Sequence, residues 1–561
     1  MARKYQIAIQ IGVIALISCA VYFPSLKNGF TNWDDKILVL ENSNIRSLSV
    51  DNVAKIFSAS YGGFGGYTPL VFMSYALEYR FFKLDPRAYH ATNLLIHILN
   101  SLLIYWLIYL VSRKIRLSFI VAAFFGIHPL HVEAVAWVPG RKDVLFSLFY
   151  LLALITYLLF LQKRRKRSYY LLALLMFTLS VFSKVTAVSF PLVILLIEFH
   201  LAKKLDKSSL ARVVPFMILS IGFLFLAVIT SRSGLPQAPT EQVGYLQNLG
   251  LFFYSFVFYI GKLFLPVGLI ARYSVEIGRY PWQILLNSVV FAAVCGFLYF
   301  VYRRKSEIVT FGIAFFILTL LPTLPFHFFG QPYADRYMYL PMTGLLFVIA
   351  AVLEPMPLKK AGPYFKRSFV VSSLVIAAVV LLGAQTWRLS QVWRDGLSLW
   401  TYVLEKDPTN ATAYLNRGDV LVGSNQLDQA FSDYEQAARF NPKDPHVYTN
   451  KGFIYFKRGQ YEKALEEYNR ALSLNPLYLV GYLNRGILWG RLGEFEKAVQ
   501  DFSTALKLDK NSSEAHYYRG LAFKELKMIG PALEDFQAAH RLNPTDRTRS
   551  QIELLKREEV K

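Results

Sequence analysis

Cysteine is nearly absent from this sequence. Only Cys19 and Cys295 occur among its 561 residues, and both lie in apolar runs, which excludes a disulfide framework and a cysteine-based metal site. The sequence also lacks the HExxH string of zinc peptidases and an ordered Ser/His/Asp set, so peptide-bond hydrolysis is disfavoured. A glycine-rich stretch at 61–66 is not followed by Lys-Ser or Lys-Thr, and we interpret it as a mobile loop rather than a phosphate cradle.

Acidic residues are scarce relative to basic ones. The chain has 38 Asp and Glu against 61 Lys and Arg, a net charge of +23, yet residues 411–546 contain 17 of each sign. The excess lies outside those residues and clusters beside apolar runs, as at Lys163 to Arg167 and Arg303 to Lys305. Such clusters mark cytoplasmic loops. A nucleic-acid groove would gather them on one soluble surface, so no nucleic-acid partner is predicted.

Apolar residues are abundant instead, at 54% of the chain with 16% aromatic, which indicates a membrane protein. Many apolar runs are long enough to cross a bilayer core of ~30 Å. The twelve candidates fall near 7–26, 89–111, 117–138, 143–161, 168–182, 185–201, 211–231, 246–265, 283–302, 307–324, 336–354 and 367–386.

The basic connectors decide the expected topology. Strict alternation from a cytoplasmic N-terminus misplaces two basic loops unless one run fails to cross, and 246–265, with internal glycines and Pro266 at its end, is predicted to be re-entrant. Eleven crossings then remain, with the 27–88 loop and the C-terminal region both outward. The first helix is expected to be retained, because no small-x-small cleavage site precedes Asn28.

A 34-residue repeat occupies the C-terminal part. Gly418, Gly452, Gly486 and Gly520 keep this spacing. The period, with small residues between paired helices, is that of the tetratricopeptide repeat. We therefore predict an all-α chain: a polytopic membrane domain at 1–390, a linker at 391–410, a solenoid of four repeats at 411–546 and a capping helix at 547–561.

The repeats are predicted to be a binding module or a spacer, since they contain no catalytic constellation. The inner helices of such a solenoid line a concave groove that suits an extended peptide. Asn416, Asn450 and Asn484 recur two positions before successive glycines, where their amides can hold a peptide backbone of any sequence. The alternative is that these amides pack or cap within the repeats.

Two adjacent carboxylates, Asp34 and Asp35, follow the first apolar run. A carboxylate so close to hydrocarbon is usually kept for ion binding, proton transfer or substrate contact, although a solvated turn is the alternative. The 27–88 loop that carries them is long for a connector, as functional loops often are.

Further polar residues lie at the predicted outer ends of apolar runs. His128, His131 and Glu133 could in principle bind zinc, but Pro129 interrupts their helix, and a polar cluster lining a cavity fits better. Five cations lie further along the sequence, and each alone is typical of an interfacial anchor. They are Arg141, Lys142, Lys184, Arg272 and Arg336.

A base beside several cations near lipid suits transfer from a lipid phosphate to a hydroxyl group. The carboxylate would take the proton of the acceptor, and the cations would stabilise the departing phosphate. The rival hypothesis is a non-enzymatic membrane scaffold or a transporter of lipid-linked sugars, with the repeats recruiting partners, because intramembrane ions also mark transport paths.

Five segments carry a family resemblance. They are Trp33-Asp34-Asp35, Tyr67-Thr68-Pro69-Leu70, Tyr89 to His97, His128 to Asp143, and Asp335 to Pro341, all ahead of the repeats. Together they resemble the TMTC family of transmembrane and tetratricopeptide-repeat proteins, which belong to the GT-C glycosyltransferase class. The resemblance covers almost the whole chain, and the string from His128 to Asp143 is its most specific part.

The resemblance implies an inverting transferase that moves a sugar, mannose in the animal members, from a polyprenyl phosphate to Ser or Thr hydroxyls of proteins. The catalytic aspartate of the family lies in the first outward loop and matches Asp34 or Asp35, with Asp34 favoured by its place in the motif. The donor phosphate is expected to contact Arg141, Lys142, Lys184 and Arg336. The remaining expected site residues are His97, His128, His131, Glu133, Asp143 and Asp335.

The sequence departs from the family pattern at two positions. Thr68 stands where Arg is common, and Val185 follows Lys184 where Glu is common, so the sugar stays open. A divalent cation, Mg²⁺ or Mn²⁺, also stays open as a cofactor. Bacterial relatives share this layout, so the expected location is a bacterial inner membrane with the site outside the cytoplasm, or otherwise the endoplasmic reticulum membrane.

Overall fold

The computed structural model describes residues 2–58, 66–163, 166–232, 245–274, 281–303, 307–324, 333–353 and 363–559. The elements in these ranges are helical, as the predicted all-α class requires. The glycine-rich stretch at 61–66 lies outside the described residues except for Gly66. Two compact units are present, one holding the described residues up to Asp407 and the other those from Pro408 onward.

The first unit is built from α-helices of very different length. They are Ala2–Tyr22, Val50–Phe57, Pro69–Phe82, Pro86–Ser112, Ile115–Ile127, Val132–Ala136, Arg141–Gln162, Arg167–Ser183, Phe190–Ala202, Lys207–Arg232, Tyr245–Phe264, Pro281–Arg303, Glu307–Leu320, Met342–Leu353, Pro363–Val392 and Gly396–Lys406. Short 3₁₀ turns lie at several junctions, including Pro129–His131, Val138–Gly140, Val185–Ser189 and Asp335–Met338.

Several of these helices can cross a membrane by length and composition. Six qualify in the described part of the chain, or seven if one bent pair counts as a single span: Arg3–Lys27, Pro86–Ser112, Val138–Gln162, Val185–Ala202, Lys207–Thr230, Ser373–Val392, and the pair Ile115–Ile127 with Pro129–Ala136. Five shorter apolar helices account for the other predicted runs. All twelve runs are thus helical, but the predicted count of eleven crossings is not confirmed.

The bent pair Ile115–Ile127 and Pro129–Ala136 places polar residues at a break between two helices. The two helices meet at 55°, and Pro129 lies at the break, as its missing N–H predicts. His128 caps the second segment by accepting the amide of Leu130 at 3.2 Å. The backbone then breaks again at Val138–Gly140 before the next helix starts. His128, His131 and Glu133 are therefore held on short segments, whereas the charged residues from Arg141 to Asp143 form the first turn of the next helix.

The predicted linker at 391–410 is largely a helix of the first unit. The long helix ends at Val392, and Asp395 caps Gly396–Lys406 by accepting the amide of Ser398 at 2.8 Å. Leu399, Trp400 and Val403 of this short helix are buried, so packing fixes the segment. Much of the segment predicted as a linker is therefore helical, because three large apolar side chains at helical spacing bury together.

The second unit consists of four helix pairs and a final helix. The pairs are Ala411–Gly423 with Leu427–Phe440, Pro445–Lys457 with Tyr461–Leu474, Leu479–Arg491 with Phe495–Leu508, and Ser513–Glu525 with Ile529–Leu542. The helix Asp546–Glu559 follows, and its Leu555 is fully buried against the core of the last pair. Each pair lies within one predicted repeat.

The periodic glycines allow close helix packing. A Cβ atom built on Gly452 would lie 2.6 Å from the ring of Tyr468, and Gly418, Gly486 and Gly520 meet Tyr434, Phe502 and Phe536 in the same way. A second periodic feature joins the two helices of each pair. It is an ion pair sixteen residues apart: Arg417 with Asp433, Lys451 with Glu467, Arg485 with Asp501, and Arg519 with Asp535.

Candidate functional site

The segment Asn28–Asp35, which we term the acidic loop, is tied to the rest of the first unit at its start. The side chain of Asn28 donates to the carbonyl of Ser390 at 2.9 Å, and the amide of Gly29 donates to the carbonyl of Arg394 at 2.8 Å. The imidazole Nε2 of His90 pairs with the carbonyl of Gly29 at 3.1 Å. The loop therefore has a fixed course.

Asp35 is buried, with 1% of its surface exposed. Its Oδ2 accepts hydrogen bonds from the hydroxyl of Thr31 at 2.5 Å and from the indole Nε1 of Trp137 at 2.8 Å, while its Oδ1 has no partner in the described part of the chain. Burial raises the pKa of Asp35 to about 7, and the two hydrogen bonds offset part of that rise. The carboxyl is held firmly but faces away from solvent.

Asp34 is only partly buried, unlike its neighbour. It lies within electrostatic range of Lys142 and Arg272, which approach from different helices and loops. The ammonium of Lys142 lies 5.7 Å above the ring of Trp137 and forms no ion pair within the described residues. Of the two candidate carboxylates, Asp34 is the one exposed to solvent.

Four cations lie within electrostatic range of one another, two of them also of Asp34, and we term them the cation cluster: Lys142, Lys184, Arg272 and Arg336. The ammonium of Lys184 pairs with Asp143 Oδ1 at 2.5 Å, and the guanidinium of Arg336 pairs with Glu133. The Nε of Arg336 is buried without a hydrogen-bond partner in the described residues, as is Asp143 Oδ2. The structure thus brings together most of the charged residues that the sequence singled out.

Asp335 borders this cluster. Its Oδ1 accepts the hydroxyl of Tyr273 at 2.7 Å, and burial, reinforced by the nearby Glu133, raises its pKa well above the usual range. Asp335 and Glu133 line a cavity of about 20 Å³ that is also lined by Trp393 and Tyr402. This volume is enough for a single water molecule.

Arg141 does not belong to the cluster. Its side chain is fully buried, and it bonds to Glu78 Oε1 at 2.9 Å, the carbonyl of Tyr89 at 2.8 Å, Ser74 Oγ at 3.1 Å and Asn93 Oδ1. Each of its three guanidinium nitrogens already donates to the protein. These contacts indicate a structural role for Arg141 rather than the expected phosphate contact. The sequence could not reveal that Glu78 folds onto it.

The three expected histidines form a separate cluster. His97 bonds to the hydroxyl of Tyr339 at 2.8 Å and to the carbonyl of Gly126, His128 to the carbonyl of Leu263, and His131 to the carbonyl of Phe125. Their rings pack together with Phe125 and Tyr339. Among the residues described, no group of three or more His, Cys, Asp or Glu is placed to hold a metal ion.

The repeated asparagines divide between two roles. Asn416 donates to the carbonyl of Thr412 in its own helix at 2.8 Å, and Asn450 donates to Asp419 of the preceding repeat at 2.7 Å. Both therefore make local bonds, the alternative that the sequence left open. Asn484 makes no side-chain hydrogen bond within the described residues and is partly exposed.

A group of aromatic residues around the acidic loop could not be found from the sequence. Trp33, Trp137, Trp393 and Trp400, termed the tryptophan cluster, are half of the eight tryptophans in the chain and contact one another. They lie far apart in sequence without a shared motif. The one signal was Trp33 itself, directly before the acidic pair.

Comparison with known proteins agrees with the family resemblance. Residues 89–231 match the profile of the family described as dolichyl-phosphate-mannose-protein mannosyltransferase, and tetratricopeptide-repeat profiles match 445–478, 418–459 and 491–527. The chain is therefore similar to a mannosyltransferase family in its membrane part and contains tetratricopeptide repeats.

Three curated relatives illustrate the similarity. The protein O-mannosyl-transferase F38B6.6 of Caenorhabditis elegans is 25% identical over 78% of this chain and 63% of its own length. The human protein O-mannosyl-transferase TMTC1 is 24% identical over 77% and 55%, and mouse TMTC3 is 23% identical over 78% and 51%. The chain thus spans between one half and two thirds of the length of these relatives. Among solved structures, YrrB, a TPR protein with an unusual peptide-binding site, covers 27% of this chain with a TM-score of 0.24; the match covers 79% of YrrB at 24% identity.

Proposed function

We propose that this protein is a membrane glycosyltransferase that moves mannose or another hexose from a polyprenyl-phosphate donor to Ser or Thr hydroxyls of proteins. The observation that carries the proposal is the position of Asp34, a partly buried carboxylate beside Lys142 and Arg272. The similarity to proteins named protein O-mannosyl-transferases supports the same chemistry.

The proposed reaction is a single displacement. The acceptor hydroxyl oxygen attacks the anomeric carbon, the bond from that carbon to the phosphate oxygen breaks, and the phosphate leaves with the electron pair. Asp34 takes the hydroxyl proton as general base, and the cation cluster stabilises the charge that grows on the phosphate. One displacement inverts the configuration of the anomeric carbon.

The charges of the site suit this reaction. The four cations of the cation cluster lie among the carboxyl groups of Asp34, Asp143 and Glu133, while burial raises the pKa of Asp35 and of Asp335 and favours their neutral forms. A sugar-phosphate diester carries one negative charge. Transfer gives the lipid phosphate a second negative charge at the same time as Asp34 is neutralised. Proton uptake by Asp34 therefore removes one negative charge from the site as the phosphate gains one.

The residues proposed to contact the phosphate follow from which donors are available. Lys142 has no ion-pair partner within the described residues, and Arg336 keeps a buried Nε without an acceptor, so these two are the primary candidates. Lys184 must share its ammonium with Asp143. Arg141 is left out, and no residue is proposed as a metal ligand.

We propose that the repeats bind the acceptor polypeptide, and that the site and the repeats lie outside the cytoplasm or in the lumen of the endoplasmic reticulum. Of the three asparagines, Asn484 supports this role best, because its amide is the one without a local bond. The basic clusters between apolar runs support the orientation.

Purified protein in lipid nanodiscs tests the proposal. With polyprenyl-phosphate mannose and a Ser/Thr-containing acceptor peptide, we expect transfer by the wild type and a loss of at least ~100-fold in Asp34→Asn, as removal of a general base usually gives. Asp51→Asn is the matched control, since Asp51 is an exposed carboxylate on the same 27–88 loop. Asp35→Asn and Lys142→Gln complete the set.

Two results would contradict the proposal. Full transfer by both Asp34→Asn and Asp35→Asn would remove the acidic pair from catalysis. No transfer by the wild type with any polyprenyl-phosphate hexose, together with movement of that lipid between leaflets, would favour the transporter.

A further inference from the structure

Two indole N–H groups hold the acidic loop on either side of Asp34. The Nε1 of Trp400 donates to Asn32 Oδ1 at 2.8 Å, and the Nε1 of Trp137 donates to Asp35 Oδ2 at 2.8 Å. Asn32 and Asp35 are the residues that bracket Trp33 and Asp34. Both ends of this four-residue segment are therefore fixed by side chains from elsewhere in the fold.

The ring of Trp33 is enclosed by the same tryptophans. It stacks on Trp137 with ring centroids 4.8 Å apart and planes at 20°, and it meets the edge of Trp400 at 5.5 Å and 68°. Trp393 lies parallel to it at 6.4 Å. With Trp33 pointing into this cluster, the adjacent Asp34 is left on the side of Lys142 and Arg272.

These contacts do more than fill space. Stacked rings can slide over one another at little cost, whereas an indole has a single N–H donor that bonds one acceptor in one direction. Trp137 and Trp400 are buried, at 1% and 0% exposure, so each needs an acceptor, and both acceptors lie on the acidic loop. The two hydrogen bonds fix the acidic loop laterally, and the stacking of Trp33 on Trp137 fixes the distance between the loop and that ring.

We infer that Trp137 and Trp400 are positioning residues for Asp34, and that Asp35 and Asn32 act as their acceptors. The inference rests on the proposed function and deepens it. The two aspartates then have different roles. Asp34 contacts the substrate, and Asp35 accepts the hydrogen bond that holds Asp34 in place. Trp400 belongs to the helix Gly396–Lys406, which lies beyond the 89–231 match. This helix is therefore part of the catalytic unit.

The test uses full-length Trp137→Phe and Trp400→Phe, which keep an aromatic ring and remove the N–H. We expect kcat for sugar transfer to fall by roughly 10- to 100-fold, since small misplacements of a catalytic group have effects of that order, with KM for the lipid donor within about twofold of wild type. Trp387→Phe is the matched control, because Trp387 is 45% exposed on the preceding helix.

Two further measurements separate positioning from general stability. Asn32→Ala removes the acceptor of Trp400 without altering the tryptophan cluster, and we expect it to reproduce the kcat of Trp400→Phe. Trp137→Phe combined with Asp35→Ala should be no worse than the more impaired single variant, because either change alone already removes the bond between Trp137 and Asp35. Hydrogen–deuterium exchange of the peptide 28–36 should accelerate in Trp137→Phe and Trp400→Phe but not in Trp387→Phe.

The inference is overturned if the wild type transfers sugar and both Trp137→Phe and Trp400→Phe match Trp387→Phe in kcat, or if Asn32→Ala is fully active. It is also overturned if peptide 28–36 exchanges at the wild-type rate in both variants. Absence of transfer by the wild type would instead refute the proposed function, and the exchange measurement would still report on the two anchors.

Discussion

Arg141 and Glu78 form an ion pair in which neither side chain is open to solvent. Their Nη2 and Oε1 atoms lie 2.9 Å apart, with side-chain exposures of 0% and 8%, and the pair joins the helix Arg141–Gln162 to Pro69–Phe82. A residue that the sequence offered as a phosphate contact is thus a link between helices.

Removing one partner of this pair should destabilise the protein strongly. We expect Arg141→Ala to lower the free energy of unfolding by about 3–5 kcal/mol, because it leaves Glu78 buried and uncompensated. The double variant Arg141→Met/Glu78→Leu should lose much less. Chemical unfolding in detergent measures this, with Glu307→Gln, which breaks the exposed pair to Lys203, as a control expected to leave stability nearly unchanged. A fully stable but inactive Arg141→Ala would instead return Arg141 to the substrate site.

The raised pKa of Asp35 predicts a specific pH dependence of stability. Because the folded pKa is about 7 and the ordinary value is 3.8, the native state keeps a proton that the unfolded chain has lost between these pH values. Stability should therefore fall as pH rises from 4 to 7, by an amount on the order of 4 kcal/mol, and level off above 7. Asp35→Asn should not show this fall in stability between pH 4 and 7. Thermal unfolding of both proteins at pH 5 and pH 8 provides the comparison, and parallel curves would contradict the assignment.

The periodic ion pairs of the repeats should contribute to stability, and Asn484, which makes no side-chain hydrogen bond within the described residues, should not. Arg485 bonds Asp501 through two nitrogens, at 2.8 and 2.7 Å, and Asp501 is nearly buried. We expect Arg485→Ala to destabilise the repeats by about 1–3 kcal/mol. Asn484→Ala should leave stability within ~0.5 kcal/mol and weaken acceptor-peptide binding, measured by calorimetry. Unchanged binding would remove Asn484 from the proposed groove.

Close helix packing in the repeats depends on glycine. An alanine at Gly452 would place its Cβ against the ring of Tyr468, so we expect Gly452→Ala to destabilise by about 1–3 kcal/mol. Gly490 is also helical, but a Cβ there meets nothing within 4 Å. Gly490→Ala should therefore stabilise the helix by about 0.5–1 kcal/mol. Equal effects of the two substitutions, measured by thermal unfolding, would show that the ring contact is unimportant.

The proposed orientation can be tested with single cysteines. In a chain carrying Cys19→Ala and Cys295→Ala, we expect Lys457→Cys to react with an impermeant maleimide from the outward side. Lys163→Cys, in a basic connector, should react only after permeabilisation. Both positions are exposed. Labelling of Lys457→Cys only after permeabilisation would place the repeats in the cytoplasm and restore an even number of crossings.

Local patterns were sufficient for much of the architecture. The 34-residue period identified the repeats and their helix pairs, and each of the twelve apolar runs proved helical. The break at Pro129 also followed from the sequence, because a proline cannot donate to the helix ladder. The number of membrane crossings did not follow from the sequence, because composition cannot tell a short spanning helix from a buried or re-entrant one.

The sequence by itself determined that the chain is an all-α membrane protein with tetratricopeptide repeats and that Asp34 and Asp35 are its most informative charges. Only the tertiary structure separated these two aspartates, made Arg141 an internal link, and assembled Trp33, Trp137, Trp393 and Trp400 around the acidic loop. The reason is physical. Periodicity depends on residues that are close in the sequence, whereas burial and hydrogen-bond partners depend on residues hundreds of positions apart that meet when the helices pack.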